Sequence, residues 1–302
     1  MNIFLENVKI NHNSGPNYFG RKLKTYIKQF NCRCVNNIEL ADIRLVFIES
    51  KNFNSNIPIV QRLDGIYFHS GFDCNAMNKN IMRTYVAAKG VVFQTEFNKN
   101  LIFNWFGPHE NYTIINNGSD LTYINSIQDF SRWDSLRQYE KVWSCMSHWH
   151  SFKRLDENID YFLKNCGKDD VLVVAGKGYS ETKKHPQIKY VGELSTEEMI
   201  SLFKKTDYFV HLAYLDHCPN VVIDARACGC KIICSDSGGT KEIAGKDAIL
   251  IKEDFIWDYK FIETGRPPFL NLEAKTKNSY GDSEISMLNI SKRYYKFLRK
   301  NK

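Results

Sequence analysis

The feature that most constrains the fold is a repeated alternation of short apolar runs with longer amphipathic ones. IFLENV, DIRLVFIE, IPIVQRL, GVVFQ and YTIINNG read as strands. Between them, PNYFGRKLKTYIKQF, IMRTYVAAK and TEFNKNLIFNWFG read as helices; the first puts Phe19, Leu23, Ile27 and Phe30 on one face, with Pro16 suited to its first turn. The pattern weakens over SDLTYINSIQDFSRWDSLR and then restarts. KVWSCMS, DVLVVAG, KYVG, YFVHLA, KIICSD and AILIK are the strands of the second half. RLDENIDYFLKN, STEEMISLFKKT, PNVVIDARAC and TKEIA are its helices, with Ser195 and Glu198 placed as a capping box. Strands alternating with helices over this length predict parallel sheets covered by helices, hence an α/β chain. The expected organisation is a domain over 1–125, a second over 126–280, and a terminal helix over 281–302 that returns to the first. From Glu253 onward the pattern is poor.

A chain of 302 residues, with 43% apolar and 14% aromatic residues, can bury two such cores. No apolar run is long enough to span a bilayer, and MNIFLENVKINHN lacks the charged start and long apolar stretch of a signal peptide. Nine cysteines scattered through strands and helices suggest reduced thiols and a cytoplasmic setting. The formal charge of +7 favours anionic partners without choosing among them. No zinc-finger, RRM or helix-turn-helix signature is present, so no nucleic-acid partner is expected. The basic tail SKRYYKFLRKNK is read as packing on the first domain, with peripheral membrane contact as the alternative.

The chemistry concentrates in LDHCPNVVIDARACGCKIICSDSGGTKEI, residues 215–243. Ligands in such sheets bind beyond the carboxyl ends of strands, and Asp216 follows one. Pro219 opens a helix whose first amides, at Asn220 and Val221, point outward and make an anion site suited to phosphate. Asp224 falls about one and a half turns in, among small and apolar neighbours. On this segment alone, Asp216 is equally readable as a loop acid and Asp224 as a solvated helix residue.

Taken whole, D-H-C-P-N-V-V-I-D-A-R-A-C-G followed by an apolar strand and S-G-G-x-x-E resembles the retaining glycosyltransferases of the group 4 family, with the GT-B fold. That family usually carries two glutamates where Asp216 and Asp224 stand. GPNYF, VVFQTEFNKNLI with YTIINNGSD, LVVAGKG, and KYVGELSTEEMISLFKKTDYFV extend the similarity over about 250 residues. The resemblance implies two Rossmann-like domains whose parallel sheets face a central cleft, and transfer of a sugar from a nucleotide diphosphate sugar to an acceptor hydroxyl. It assigns the donor sugar to Asp216, the sugar and diphosphate to the amides from Cys218 through Pro219 and Asn220 to Val221, and the ribose to Asp224. Glu193 and Leu194, after KYVG, fall among the donor-binding positions, and Gly15 in the first glycine loop.

The family neutralises the leaving diphosphate with an arginine and a lysine five positions apart. Lys153 matches the lysine, and His148 falls where the arginine would be; Arg154 is an alternative source of charge, or the pair Lys153-Arg154 is an ordinary basic helix start. In the first domain Asp64 of R-L-D-G is the candidate for sugar or acceptor binding, the alternative being a plain Asp-Gly turn. Arg62 and His69 are weaker candidates. A front-face mechanism is implied, in which the donor's own phosphate helps remove the acceptor proton. No D-x-D occurs, and neither metal nor other cofactor is expected. Two further readings stay open: a nucleotide-sugar epimerase of the same fold, and a non-catalytic nucleotide-sugar-binding protein.

Overall fold

The computed structural model describes residues 1–9, 14–179 and 183–302. They form two compact units: residues 1–120, 258–265 and 284–302 make the first, and 121–257 with 266–283 make the second. The chain thus changes unit five residues earlier than the sequence pattern placed it, and it crosses between units more often near its end.

The first unit contains β1 (Asn2–Glu6), α1 (Gly15–Tyr26), β2 (Arg33–Val35), β3 (Ile43–Phe47), β4 (Ile59–Leu63), α2 (Cys74–Ala87), β5 (Gly90–Phe93), α3 (Glu96–Phe106) and β6 (Tyr112–Ile114). Its strands pair in the order β2-β1-β3-β4-β5-β6, every pair parallel. β3 and β4 are buried along their whole length, Arg44, Gln61 and Arg62 included, so neither shows an alternating pattern. β2 was not anticipated: Arg-Cys-Val is three residues between polar neighbours, and it is a strand because the β1 edge recruits it.

The second unit contains α4 (Leu121–Ser126), β7 (Val142–His148), α5 (Leu155–Asn165), β8 (Val171–Lys177), β9 (Ile188–Gly192), α6 (Thr196–Phe203), β10 (Tyr208–His211), α7 (Asn220–Ala227), β11 (Lys231–Ser235), α8 (Thr240–Ile243), β12 (Ile249–Ile251) and β13 (Lys275–Lys277). The strand order is β13-β12-β11-β10-β7-β8-β9, parallel except for the antiparallel edge strand β13. The weakly patterned stretch after Ser119 becomes α4 and a 3₁₀ segment at Ser131–Gln138, whose Trp133 and Leu136 are buried. The Ser195–Glu198 capping box forms at the start of α6.

A last helix, α9 (Met287–Asn301), belongs to the first unit. Its Ile290, Tyr294 and Leu298 join Phe19, Leu23, Ile43 and Leu45 in one buried cluster. All nine cysteines are free thiols. No described helix is long and apolar enough to cross a membrane.

Candidate functional site

In the second unit two of the predicted residues, Lys153 and Asp216, meet beyond the carboxyl ends of β7 and β10. β7 ends at His148, and the chain then makes a 3₁₀ turn, Ser151–Lys153. Phe152 and Arg154, on either side of Lys153, are buried. Phe152 O accepts the Tyr214 amide at 2.8 Å. Arg154 takes a left-handed φ of 50° and donates to both oxygens of Glu253, at 2.6 and 3.0 Å, and to Pro268 O at 2.8 Å. Two anchored neighbours therefore fix where Lys153 can go. The Arg154 guanidinium is itself fully buried against a carboxylate that is only 4% exposed, so it serves the fold and is not an alternative charge for a diphosphate.

Lys153 Nζ forms an ion pair with Asp216 Oδ2. His211 Nε2 reaches the same oxygen at 2.9 Å. The backbone amide of His217 donates to Asp216 Oδ1 at 3.0 Å. Oδ2 thus has two donors and Oδ1 has one, which leaves Oδ1 able to accept one hydroxyl. Burial pushes the Asp216 carboxyl up, but the Lys153 ammonium and the His211 bond outweigh it, leaving the pKa far below the usual carboxylate range. His211 lies 5% exposed in β10, and burial holds its pKa below 6.5 in spite of Asp216. It is the neutral imidazole, protonated on Nε2 because a carboxylate oxygen can only accept. Burial likewise holds His217 down to about 4.

The serine-glycine segment after β11 clamps this loop. Ser235 Oγ donates to Ala213 O at 2.7 Å, Ser237 Oγ accepts the Leu215 amide at 3.3 Å, and the Gly239 amide donates to Asp216 O at 2.7 Å. Gly238 has φ +70°, and a Cβ there would stand 2.6 Å from the Asp216 carbonyl oxygen. Glycine at 238 is what lets the turn close against the acid. Leu215, a branched side chain with φ 54°, carries local strain immediately before Asp216.

α7 begins at Asn220 with Pro219 at its N-cap, one position earlier than a first-turn proline. Cys218 is buried, and Asn220 and Val221 are half-buried. Asp224 is 1% exposed, which removes the reading of a solvated helix residue. His148 is exposed at the end of β7 and pairs in register with Lys177. Lys177 in turn meets Glu193 at 2.9 Å, both more than half exposed; Leu194 beside it is half-buried. Cys145 is buried in the core while His148 and His150 are exposed, so these three do not form a ligand set. Among the described residues no three His, Cys, Asp or Glu side chains converge as metal ligands would.

In the first unit Gly15 is the exposed first residue of α1. Asp64 follows β4 and its Oδ1 accepts from both Arg62 and Gln94. Its Oδ2 is buried without a hydrogen-bond partner among the described residues. Burial pushes this carboxyl up against the pull of Arg62. Arg62 is fully buried: it lies over the Phe19 and Phe47 rings, donates to Asn117 Oδ1 at 2.6 Å and to Tyr294 OH at 3.1 Å. It holds Asp64 and the α9 contact rather than offering a group to a ligand. His69 Nδ1 accepts the Gly71 amide at 3.1 Å and its ring packs on Phe72 at 4.7 Å, so it shapes a turn.

Sequence reasoning passed over His211, Ser235, Ser237 and Gly238. The signal for His211 was a lone polar residue in the apolar strand YFVHLA, five positions before the acid.

Residues 146–257, within the second unit, match the family described as glycosyl transferases group 1. No curated protein sequence matches the chain. Among solved structures, Anabaena HepE in complex with UDP-glucose is 14% identical, with 100% of this chain and 91% of that chain covered at a TM-score of 0.60. AviGT4, a glycosyltransferase involved in avilamycin A biosynthesis, is 11% identical, covering 100% of this chain and 98% of that one at 0.61. A glycosyltransferase from Rickettsia africae is 12% identical, covering 84% of each at 0.58. The fold is that of these proteins: GT-B, built from two Rossmann-like domains.

Proposed function

We propose that this chain, whose residues 146–257 match the glycosyl transferases group 1 family, transfers a sugar with retention from a nucleotide diphosphate sugar to an acceptor hydroxyl. The observation that carries the reading is the cluster of Lys153, His211 and Asp216 at the carboxyl ends of β7 and β10, beside the start of α7. Asp216, kept ionised by Lys153, accepts one hydroxyl of the donor sugar through Oδ1. Lys153, on the other side of the same carboxylate, is the fixed cation available as charge grows on the departing diphosphate. The outward amides at the start of α7 and the helix dipole take the phosphate, and Asp224 takes the ribose hydroxyls. His148, exposed at the end of β7, is a candidate to face the diphosphate. In the step itself the bond from the sugar's anomeric carbon to the phosphate oxygen breaks. The acceptor oxygen bonds that carbon from the same face, and its proton passes to the departing phosphate. No metal is needed for this arrangement. Asp64, at the carboxyl end of β4, is the first unit's hydroxyl-binding candidate through its unpartnered oxygen.

UDP is the first nucleotide to try, because HepE was crystallised with UDP-glucose. The test is thermal stabilisation of the protein by UDP-, GDP-, dTDP- and ADP-sugars, repeated with Asp224→Ala and Lys153→Ala. One nucleotide class should raise Tm in the wild type; Asp224→Ala should abolish the shift. Lys153→Ala should lower turnover more than nucleoside binding. If no sugar nucleotide shifts Tm in the wild type, the donor site is misassigned.

A further inference from the structure

The basic excess of this protein is not diffuse. α9 and residue 302 behind it carry Lys292, Arg293, Lys296, Arg299, Lys300 and Lys302, with no acid between 287 and 302. α1 and the 3₁₀ turn that follows it, Ile27–Phe30, carry Arg21, Lys22, Lys24 and Lys28, again with no acid between 15 and 30. Removing these ten cations from a chain of formal charge +7 would leave it at −3. The two segments are neighbours: Phe19 packs on Tyr294 at 5.6 Å, and Phe30 stacks on Tyr295 at 5.6 Å with planes 16° apart. Both turn their apolar sides into the same buried cluster. Lys22 is buried and donates to Gly118 O at 2.6 Å, and Arg21 and Lys24 are half-buried, so Lys28 is the exposed cation of the first segment.

The six cations at the C-terminal end are all exposed. The acid that meets this group is Asp42, 2.9 Å from Lys302. Arg293 and Arg299 touch a carbonyl and a tyrosine hydroxyl, neither of which cancels charge. Leu288 is 39% exposed, and Tyr295 and Phe297 are half-buried among the cations. Amphipathic rings and long basic side chains on one helical surface suit a layer that is anionic at its surface and apolar just below.

We propose that the exposed basic face of α9, with Lys302 behind it, docks the protein, peripherally and reversibly, onto the surface of an anionic lipid bilayer. This is a contact of the first unit and does not depend on the donor site described above. Six exposed cations spread along α9 and its end, rather than gathered in a pocket, fit lipid headgroups arrayed in a plane. Each basic residue near such a surface contributes about fivefold to partitioning at low ionic strength. The effect decays with salt as the screening length shortens.

The experiment is co-sedimentation of the full chain with vesicles of phosphatidylcholine alone and of phosphatidylcholine mixed with phosphatidylglycerol. Binding is expected only to the mixed vesicles and should fall steeply with added salt. The triple variant Lys292→Gln, Lys296→Gln, Lys300→Gln should bind the mixed vesicles at least tenfold more weakly. A matched triple in the second unit, Lys168→Gln, Lys231→Gln, Lys246→Gln, removes the same charge and should bind like the wild type. A thermal melt of each variant establishes that it is folded. Equal binding to both vesicle types, or equal loss in the two triples, overturns the proposal. So does tighter binding to duplex DNA than to the mixed vesicles, lost in the α9 triple.

Discussion

Replacing His211 tests whether the acid at the site is held by a prepared set of donors. His211→Ala removes a hydrogen bond of 2.9 Å to an ionised carboxylate. Bonds to charged groups contribute about 1.5–3 kcal/mol, and the imidazole also leaves a gap beside Phe209, on which it stacks at 6.3 Å. The expected loss of folding stability is about 2–4 kcal/mol. Lys153 and the His217 amide still hold Asp216, so the ion pair survives; what disappears is the one donor fixed to a strand. If half of that bond's energy serves orientation, kcat/KM for the sugar nucleotide falls roughly tenfold, at 1.36 kcal/mol per decade. His211→Gln keeps an N–H near the same place and should recover most of both losses.

The pH dependence separates this role from simple packing. His211 has its folded pKa depressed below 6.5. The unfolded chain therefore binds a proton that the folded one refuses, and stability falls as pH drops below 6.5, by up to about 1.4 kcal/mol per pH unit. His217, held at about 4, acts in the same direction. Asp216 is depressed too; its contribution is full above the usual carboxylate range and is lost progressively as pH falls below it, outside the window from pH 7 to pH 5. Urea unfolding of the wild type, followed from pH 7 to pH 5, should therefore show falling midpoints; the fall should be shallower in His211→Gln, which has one buried imidazole fewer. An unchanged urea midpoint in His211→Ala, together with a pH dependence identical to the wild type, would refute the reasoning.

Two substitutions probe the scaffold around the site. Arg154→Ala strands Glu253, 4% exposed, without its partner and should destabilise by about 3–5 kcal/mol, read as a large drop in Tm; a variant that melts like the wild type would show that the pair is not the anchor. Gly238→Ala forces a side chain into a left-handed position 2.6 Å from the Asp216 carbonyl; it should cost about 1–3 kcal/mol and lower turnover together with stability, whereas Gly229→Ala, with nothing within 4 Å, should lose stability without losing turnover.

The elements and the acid-bearing loop were legible because they depend on local pattern. Alternation marked the strands of both sheets, and the spacing from Asp216 to Asp224 marked the start of α7. What escaped depends on partners distant in sequence. Arg154 and Glu253 are 99 positions apart, and Arg62 and Tyr294 are 232 apart. Without those partners, an arginine beside a candidate lysine or a candidate aspartate reads as part of the site. β2 and β13 escaped for a related reason: three-residue edge strands are specified by the strand they join more than by their own residues. The excursion of 258–265 into the first unit is fixed by the bridge from His69 to Ile262 and the bond from Ser70 to Glu263, neither of which has a periodic signature.

The aspartate at 216 and the histidine inside β10 become intelligible together. A glutamate at position 216 would carry its carboxylate about 1.5 Å farther from the backbone. At that reach it would leave His211, whose position in the middle of the sheet is set by its register with Cys234. With aspartate, the carboxylate stays close enough to the end of β10 to accept from a strand residue, from Lys153 and from its neighbour's amide. The serine-glycine turn then has to approach just as closely, and Gly238 permits it. An aspartate, a polar residue inside an apolar strand and a glycine with positive φ are thus three parts of one local solution. Each breaks a rule for its own element, and each is explained by the carboxylate they surround.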